Sequence, residues 1–486
     1  MRQLLIGQRY TRETFDYTSD TLWLPDTFGF SAALPQILQK AGVRFFCTHK
    51  MSWGETRFPY TSFVWKGIDG TAVVTHFNTI GGDAAEPKAL LEQWSKVADK
   101  GVEDSALCAF GYGDGGGGPH LEAVEVARRL KNVDGCPRAE YTTVSDFMKR
   151  LEKKRSLLPV WSGELYLSAH RGTLTSQAEI KRLSRKAEFA LRDAEFAAVT
   201  ARLNGGPYPA AEFGQLWKAL TLNQFHNIVT GTSIQEVHDR AVKELSGVVE
   251  DANRIFDSSF QRVARPSPGV TFVNTLSWER RNAFAVDAFD GAPSLPSGST
   301  QAYTDVAGAN KVAIAGVRIP ALGATPAPAP GGPNDARTPS SPFAVRGRTV
   351  ETPRLRLGFN LSGRIATCVD KASGRELVRA GGALNRFLTG EDIPATWDTC
   401  DIDRDQARKM RKDGQLLSRN VVSNGPGSVA HPKRVRHRRA IHRHAGRDAV
   451  GGFPAHRLRD PDRVEGDPYA LPGGVRPRRA VGHGPL

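Results

Sequence analysis

Apolar residues recur every three or four positions over 233–260. Ile234, Val237, Ala241, Leu245, Val248, Ala252, Ile255 and Phe256 fall on one side of a 3.6-residue helix. Ser233 and Glu236 form an S-x-x-E pair ahead of that run, which predicts a capped helix start. Residues 177–203 and 212–226 repeat the amphipathic pattern, so a three-helix bundle is expected within 156–265. The pattern over 20–150 is different. Thr71–Phe77 is rich in β-branched residues, Ala106–Phe110 is a second short apolar run, and 121–130 reads as a helix after a glycine loop. Strand, loop and helix in repetition predict a partial parallel α/β domain over 1–155. Beyond Pro266, short β-type runs at 270–274, 283–286 and 353–370 predict a β-rich domain over 266–425, incomplete at its end. Seven prolines within 319–342 mark a loop or linker inside it.

From 426 to 486 no period of 2 or 3.6 appears, and disorder is expected there. Residues 431–486 carry thirteen Lys/Arg against five acids, a net +8, which is more than half of the whole chain's 66 − 51 = +15. Such a tail is either a solvated run or an arm for nucleic acid. Its Arg, Pro, Gly, Ala and His content also matches a GC-rich gene read out of frame, and that reading explains the composition best. Nothing in the rest of the chain supports a nucleic-acid partner.

The 486 residues, 40% hydrophobic and 24% charged, are those of a globular multidomain protein. No apolar run approaches the roughly 18–20 residues of a membrane span, and the opening MRQLLIGQRYTRETF has too short an apolar patch for a secretory signal. Cys47, Cys108, Cys136, Cys368 and Cys400 are scattered without a C-x-x-C, which predicts a reducing, cytoplasmic setting and no disulfide framework. A homo-oligomer is left open.

Four segments carry candidate chemistry. Gly111-Tyr-Gly113-Asp-Gly-Gly116 satisfies G-x-G-x-x-G, yet Asp114 would repel a pyrophosphate and Pro119 interrupts the helix start that a phosphate needs. Either the loop is a flexible turn, or its backbone passes close to a ligand and presents one carboxylate. Asp26, in Leu24-Pro-Asp26-Thr-Phe28, is either a helix N-cap or a catalytic or metal-binding acid. His226, at a helix end in Gln224-Phe-His226-Asn227, is either a partner of the helix dipole or a ligand. Trp161 to Gly172, with the His170-Arg171 pair, is either a packed corner or a place where sugar hydroxyls are held.

These segments together resemble glycoside hydrolase family 38, the alpha-mannosidases. The strings are LWLPDTFGFSAALPQIL, THKMSW, FVWKGIDGTAVVTHFNT, FGYGDGGGGP, SGELYLSAHRGTLTSQAEIK, LTLNQFHNIVTGTSIQEV and FVNTLSWERR, collinear over roughly residues 1–410. The resemblance implies zinc-dependent, retaining hydrolysis of terminal alpha-D-mannosides, on oligomannose or smaller mannosides in mannose catabolism. It makes 1–155 a catalytic domain and the β-rich part a β-sandwich-type domain. Asp26 matches the nucleophile, which also touches zinc, and His226 matches a second zinc ligand. Asp114 is carried over as acid/base. Phe28, Lys50, Trp53, Tyr112, His170, Arg171 and Asn227 are carried over as substrate contacts.

The sequence also departs from the family. A His-x-Asp pair that supplies two further zinc ligands is expected ahead of Met1, and none of the twelve histidines is followed two places later by Asp. Asn227 stands where Asp is usual. Two ligands out of four weigh against turnover by this chain, and a carbohydrate-binding remnant without catalysis is the alternative.

Overall fold

The structure, a computed structural model, describes residues 1–54, 56–80, 82, 85–114, 116–263, 270–287, 299–304, 309–326, 343–397, 399–419, 423–424, 429–430, 433–436 and 475–479. The chain divides into two compact units. One holds residues 1–185, 214–248 and 393–403; the other holds 186–213, 249–392 and 404–486.

In the first unit, α1 (Arg2–Phe15) precedes β1 (Thr21–Trp23), α2 (Leu34–Lys40), β2 (Phe45–Thr48), β3 (Ser62–Lys66) and β4 (Ala72–Phe77). Then come β5 (Thr79–Ile80), α3 (Pro87–Lys96), β6 (Cys108–Ala109), α4 (Leu121–Arg129), α5 (Val144–Lys153) and β7 (Val160–Ser162). The main sheet has the order β1-β2-β4-β3-β7. β1, β2 and β4 run parallel, pairing Leu22 with Phe46 and Phe46 with Thr75. The expectation of a parallel sheet needs correction at β3, which is antiparallel to β4 and parallel to β7. The reason is the link. Residues 67–71 are too few for a crossover, and Gly70, at φ +86°, makes the turn of a hairpin.

Side-chain alternation places Phe46, Phe63, Trp65 and Val73 in one buried cluster and Phe45, Cys47, Val64 and Val74 in another. Both faces of the sheet are therefore covered, which is why β2 and β3 read as continuous apolar runs. Trp65 is fully buried and donates its indole N–H to the Gly163 carbonyl at 2.7 Å.

His76 is a buried ion-to-be that the fold keeps neutral. The Leu107 N–H donates to Nε2 at 3.2 Å, so the ring proton sits on Nδ1, 2.9 Å from Ser62 Oγ. Burial pushes its pKa down to about 3. An unfolded histidine takes a proton below about 6.5 and this folded one does not. Its contribution is therefore intact above that pH and erodes as pH falls toward 3. Urea unfolding at pH 7 and pH 5 is expected to show about 2 kcal/mol lost from this group. His76→Gln, which keeps an acceptor for Leu107, is expected to remove that part of the pH dependence.

Three long helices follow: α6 (Ala178–Leu203), α7 (Ala210–Asn223) and, after the short α8 (His226–Val229), α9 (Gln235–Val263). α9 begins at Gln235, and Ser233 Oγ donates to the Asn227 carbonyl. Ser233 is thus used in the turn before the helix, and the expected S-x-x-E cap is not formed.

The second unit is rich in antiparallel strands. β8 (Val270–Asn274), β9 (Arg280–Asp287), β10 (Ser299–Thr304), β11 (Asn310–Ile319) and β12 (Gly323–Pro326) come first. β9 and β10 flank β11, and Phe272, Phe284, Val286, Val312 and Ile314 form the core. β13 (Ala344–Arg346), β14 (Thr349–Glu351), β15 (Leu355–Phe359) and β16 (Ile365–Asp370) make a meander. Most of 319–342 and of the tail lies outside the described residues. The few tail residues that are described lie in short strands. Residues 433–436 pair with 415–419, and 475–479 pair with β8. A ladder is made of backbone hydrogen bonds and requires no apolar period.

Candidate active site

Ligands of parallel sheets gather beyond the carboxyl ends of the strands, and the candidate residues of the first unit lie there. Asp26 is three residues past the end of β1, and His49 and Lys50 directly follow β2. The strand ends are tied by Asn78, fully buried, whose Oδ1 accepts from the Trp23 indole at 3.1 Å and from Cys47 Sγ at 3.4 Å. The Lys50 N–H donates to the Pro25 carbonyl at 3.0 Å, fixing the two loops side by side.

The Asp26 carboxylate is bracketed. Lys50 Nζ is 2.7 Å from Oδ1, and His226 Nε2 is 3.2 Å from Oδ2. The Lys50 side chain is 8% exposed, so its charge has little water to fall back on and depends on Asp26. Its ammonium also lies 4.4 Å from the Trp53 ring centre and 5.0 Å from that of Phe28. The Phe28 ring meets the His170 ring at 4.9 Å. Gly29, at φ +109°, makes this meeting possible: a Cβ there would lie 2.9 Å from the Leu165 carbonyl, against which Phe30 forms its bridge.

His226 opens α8. The turn that follows is held by Lys181, whose Nζ donates to the carbonyls of Val229 at 2.9 Å and Thr230 at 3.2 Å, and to that of Ser176. Burial lowers the Lys181 pKa. Burial also holds His49 below the usual imidazole range; Asp26 and Asp114 oppose that shift and Lys50 adds to it. Both acids therefore act on His49 electrostatically. Asp114 is exposed, at φ +49°, on a loop closed by paired hydrogen bonds between Tyr112 and Gly118.

Of the residues expected from sequence, Asp26, Phe28, Lys50, Trp53, His170 and His226 are brought into one contact group. Tyr112 is exposed beside His120, at 5.6 Å between ring centres. Arg171 begins a short turn, with its Nε buried and lacking a hydrogen-bond partner. The Asn227 carbonyl accepts from Ser233. His49 and Asn78 were not singled out from the sequence, although both directly follow strand-like runs. Asp401 and Trp397 carried no local signal.

The separation of Asp26 Oδ2 and His226 Nε2 suits two corners of a tetrahedral zinc site, whose ligands at about 2.0–2.2 Å from the ion lie about 3.3 Å apart. A whole site takes at least three protein ligands. Among the described residues no group of three or more His, Cys, Asp or Glu converges, and Lys50 occupies the other carboxylate oxygen. The described residues do not by themselves fit a zinc ion. Among them, too, no helix is long and apolar enough to cross a membrane.

Residues 1–164 match the glycosyl hydrolases family 38 N-terminal domain, and 168–263 match the alpha mannosidase middle domain. The chain is 34% identical over 444 residues to alpha-mannosidase 2C1 of Homo sapiens, covering 88% of this chain and 40% of that protein. It is 35% identical over 297 residues to an alpha-mannosidase of Saccharomyces cerevisiae, covering 57% of this chain and 27% of that one. The chain thus spans about two fifths or less of the length of these relatives. The crystal structure of an alpha-mannosidase from Enterococcus faecalis V583 shares the fold, with a TM-score of 0.63 at 16% identity, over 89% of this chain and 56% of that one. With both domain matches running through the residues that build the Asp26 site, the chain belongs to glycosyl hydrolase family 38.

Proposed function

We propose that the Asp26 site acts on terminal alpha-D-mannosides by retaining hydrolysis. The observation that carries this reading is the Asp26 carboxylate bracketed by Lys50 and His226 at the strand ends, in a chain of this family. Asp26 attacks the anomeric carbon as the glycosidic bond breaks, and Asp114 gives its proton to the leaving oxygen. Water then displaces the sugar from Asp26, returning a proton to Asp114. Retention requires the two carboxyls to work about 5–5.5 Å apart. Lys50 and His226 hold the nucleophile's orientation; Phe28, Trp53 and His170 supply faces and polar edges for the sugar, and Tyr112, Arg171 and Asn227 are further candidate contacts. Asp26 and His226 could hold two corners of a zinc site, and a zinc ion bound there would need ligands beyond the described residues. A reducing, cytoplasmic location is part of the proposal, supported by five free cysteines, of which Cys47 and Cys368 are buried.

The shortage of converging metal donors among the described residues favours a second reading, in which the chain binds mannosides without turnover. The purified chain, supplied with zinc and an aryl alpha-mannoside, decides between them. Release of the phenol, abolished by a chelator, supports the first reading. Saturable binding of methyl alpha-D-mannoside without release supports the second. Neither release nor binding would contradict both.

A further inference from the structure

Residues Ile393–Asp403 belong to the first unit, whereas Asp392 and Arg404 on either side belong to the second. The stretch is fastened beside the candidate site. The Thr173 N–H donates to the Cys400 carbonyl at 3.3 Å, and Ser176 Oγ donates to the Thr399 carbonyl at 2.9 Å. Gly172 permits this approach: a Cβ there would lie 3.0 Å from the carbonyl oxygens of both Cys400 and Asp401.

Two side chains of the stretch meet His170. Asp401 Oδ2 is 3.9 Å from its Nδ1, a buried nitrogen without a hydrogen-bond partner, and the Trp397 ring crosses the imidazole at 5.8 Å and 86°. Trp397 sits at φ +58°, where glycine would be least strained, and is 57% exposed. Neither backbone preference nor burial accounts for a tryptophan at that position. An exposed aromatic face beside a ring that already touches Phe28 is what the apolar C–H face of a sugar would meet.

We propose that this stretch completes the sugar site, with Trp397 a platform on which a sugar ring of the mannoside stacks and Asp401 a positioning residue that orients His170. The proposal rests on reading the Asp26 site as a mannoside site. The Asp401 carboxylate facing Nδ1 favours the tautomer protonated on that nitrogen, which leaves Nε2 of His170 as an acceptor for a sugar hydroxyl.

Calorimetric titration of the full chain with methyl alpha-D-mannoside and with an alpha-linked mannobiose tests it. Trp397→Ala and Trp397→Gly are expected to weaken binding of at least one sugar about tenfold, and Trp397→Phe to stay within about threefold of wild type. Trp397→Gly is expected to melt no lower than wild type, because it relaxes the left-handed backbone. Asp401→Asn is expected to weaken binding, and to add nothing in the background of His170→Gln. Wild-type affinity for both sugars in Trp397→Gly would overturn the platform while leaving the Asp26 site standing. No binding by the wild-type chain would overturn the reading of the Asp26 site and this proposal with it.

Discussion

Changing Asp26 to asparagine is expected to reduce hydrolysis of an aryl alpha-mannoside by about three orders of magnitude or more, because an amide replaces the group proposed to attack the anomeric carbon. The fold should survive the change at a cost. Lys50, almost fully buried, would keep its charge beside a neutral amide, and a deprived buried cation of this kind destabilises by about 1–3 kcal/mol. Asp26→Glu separates the two effects. It keeps the negative charge for Lys50 but moves the carboxylate by one methylene, so stability should recover while kcat stays low. Steady-state kinetics with thermal melts of the three proteins checks this. Equal kcat in Asp26→Asn and wild type would remove Asp26 from the chemistry.

The second large effect falls on a glycine. Gly231 follows α8 at φ +78°, and a Cβ there would come within 2.5 Å of the Ser176 carbonyl oxygen and 2.9 Å of its carbon. These are backbone atoms held by Lys181 and cannot swing aside. Gly231→Ala therefore combines an unfavourable dihedral with a clash, and a loss of about 2–4 kcal/mol is expected. Because relief of the clash must shift the α8 turn, His226 should leave Asp26, and binding of mannoside should fall with stability. Gly214→Ala is the contrast. Gly214 lies in α7 with open space around a built Cβ, so alanine there should stabilise by about 0.5–1 kcal/mol. Urea unfolding of the two variants measures the difference.

What could be read from the sequence follows from how local each signal is. The long helices announced themselves by period, since one buried stripe repeats over 29 residues in α9. Asp26 and His226 were legible because each sits at the end of an element where a polar side chain has few structural duties. Lys50 and Trp53 were legible only through the wording of the segment that holds them. The direction of β3 was misread because a strand's apolar content says nothing of its partner; the short link through Gly70 did carry that information. His49 was passed over because its meaning depends on β1 lying beside β2, which brings Asp26 to it. Asp401 was out of reach for the same reason on a larger scale. Its neighbour His170 lies more than 200 positions away in the chain, and only tertiary packing sets them 3.9 Å apart. The strands at 433–436 and 475–479 had no apolar period to betray them, because backbone pairing defines them.

The nucleophile can be caught directly. A fluorinated alpha-mannosyl substrate that forms the glycosyl-enzyme but releases it slowly, followed by proteolysis and mass spectrometry, identifies the carboxylate that attacks. The account predicts one sugar per chain, carried on Asp26 and missing from the Asp26→Asn protein. A sugar on Asp114 or on any other residue, or a chain that turns over aryl mannoside without ever acquiring a label, would contradict it.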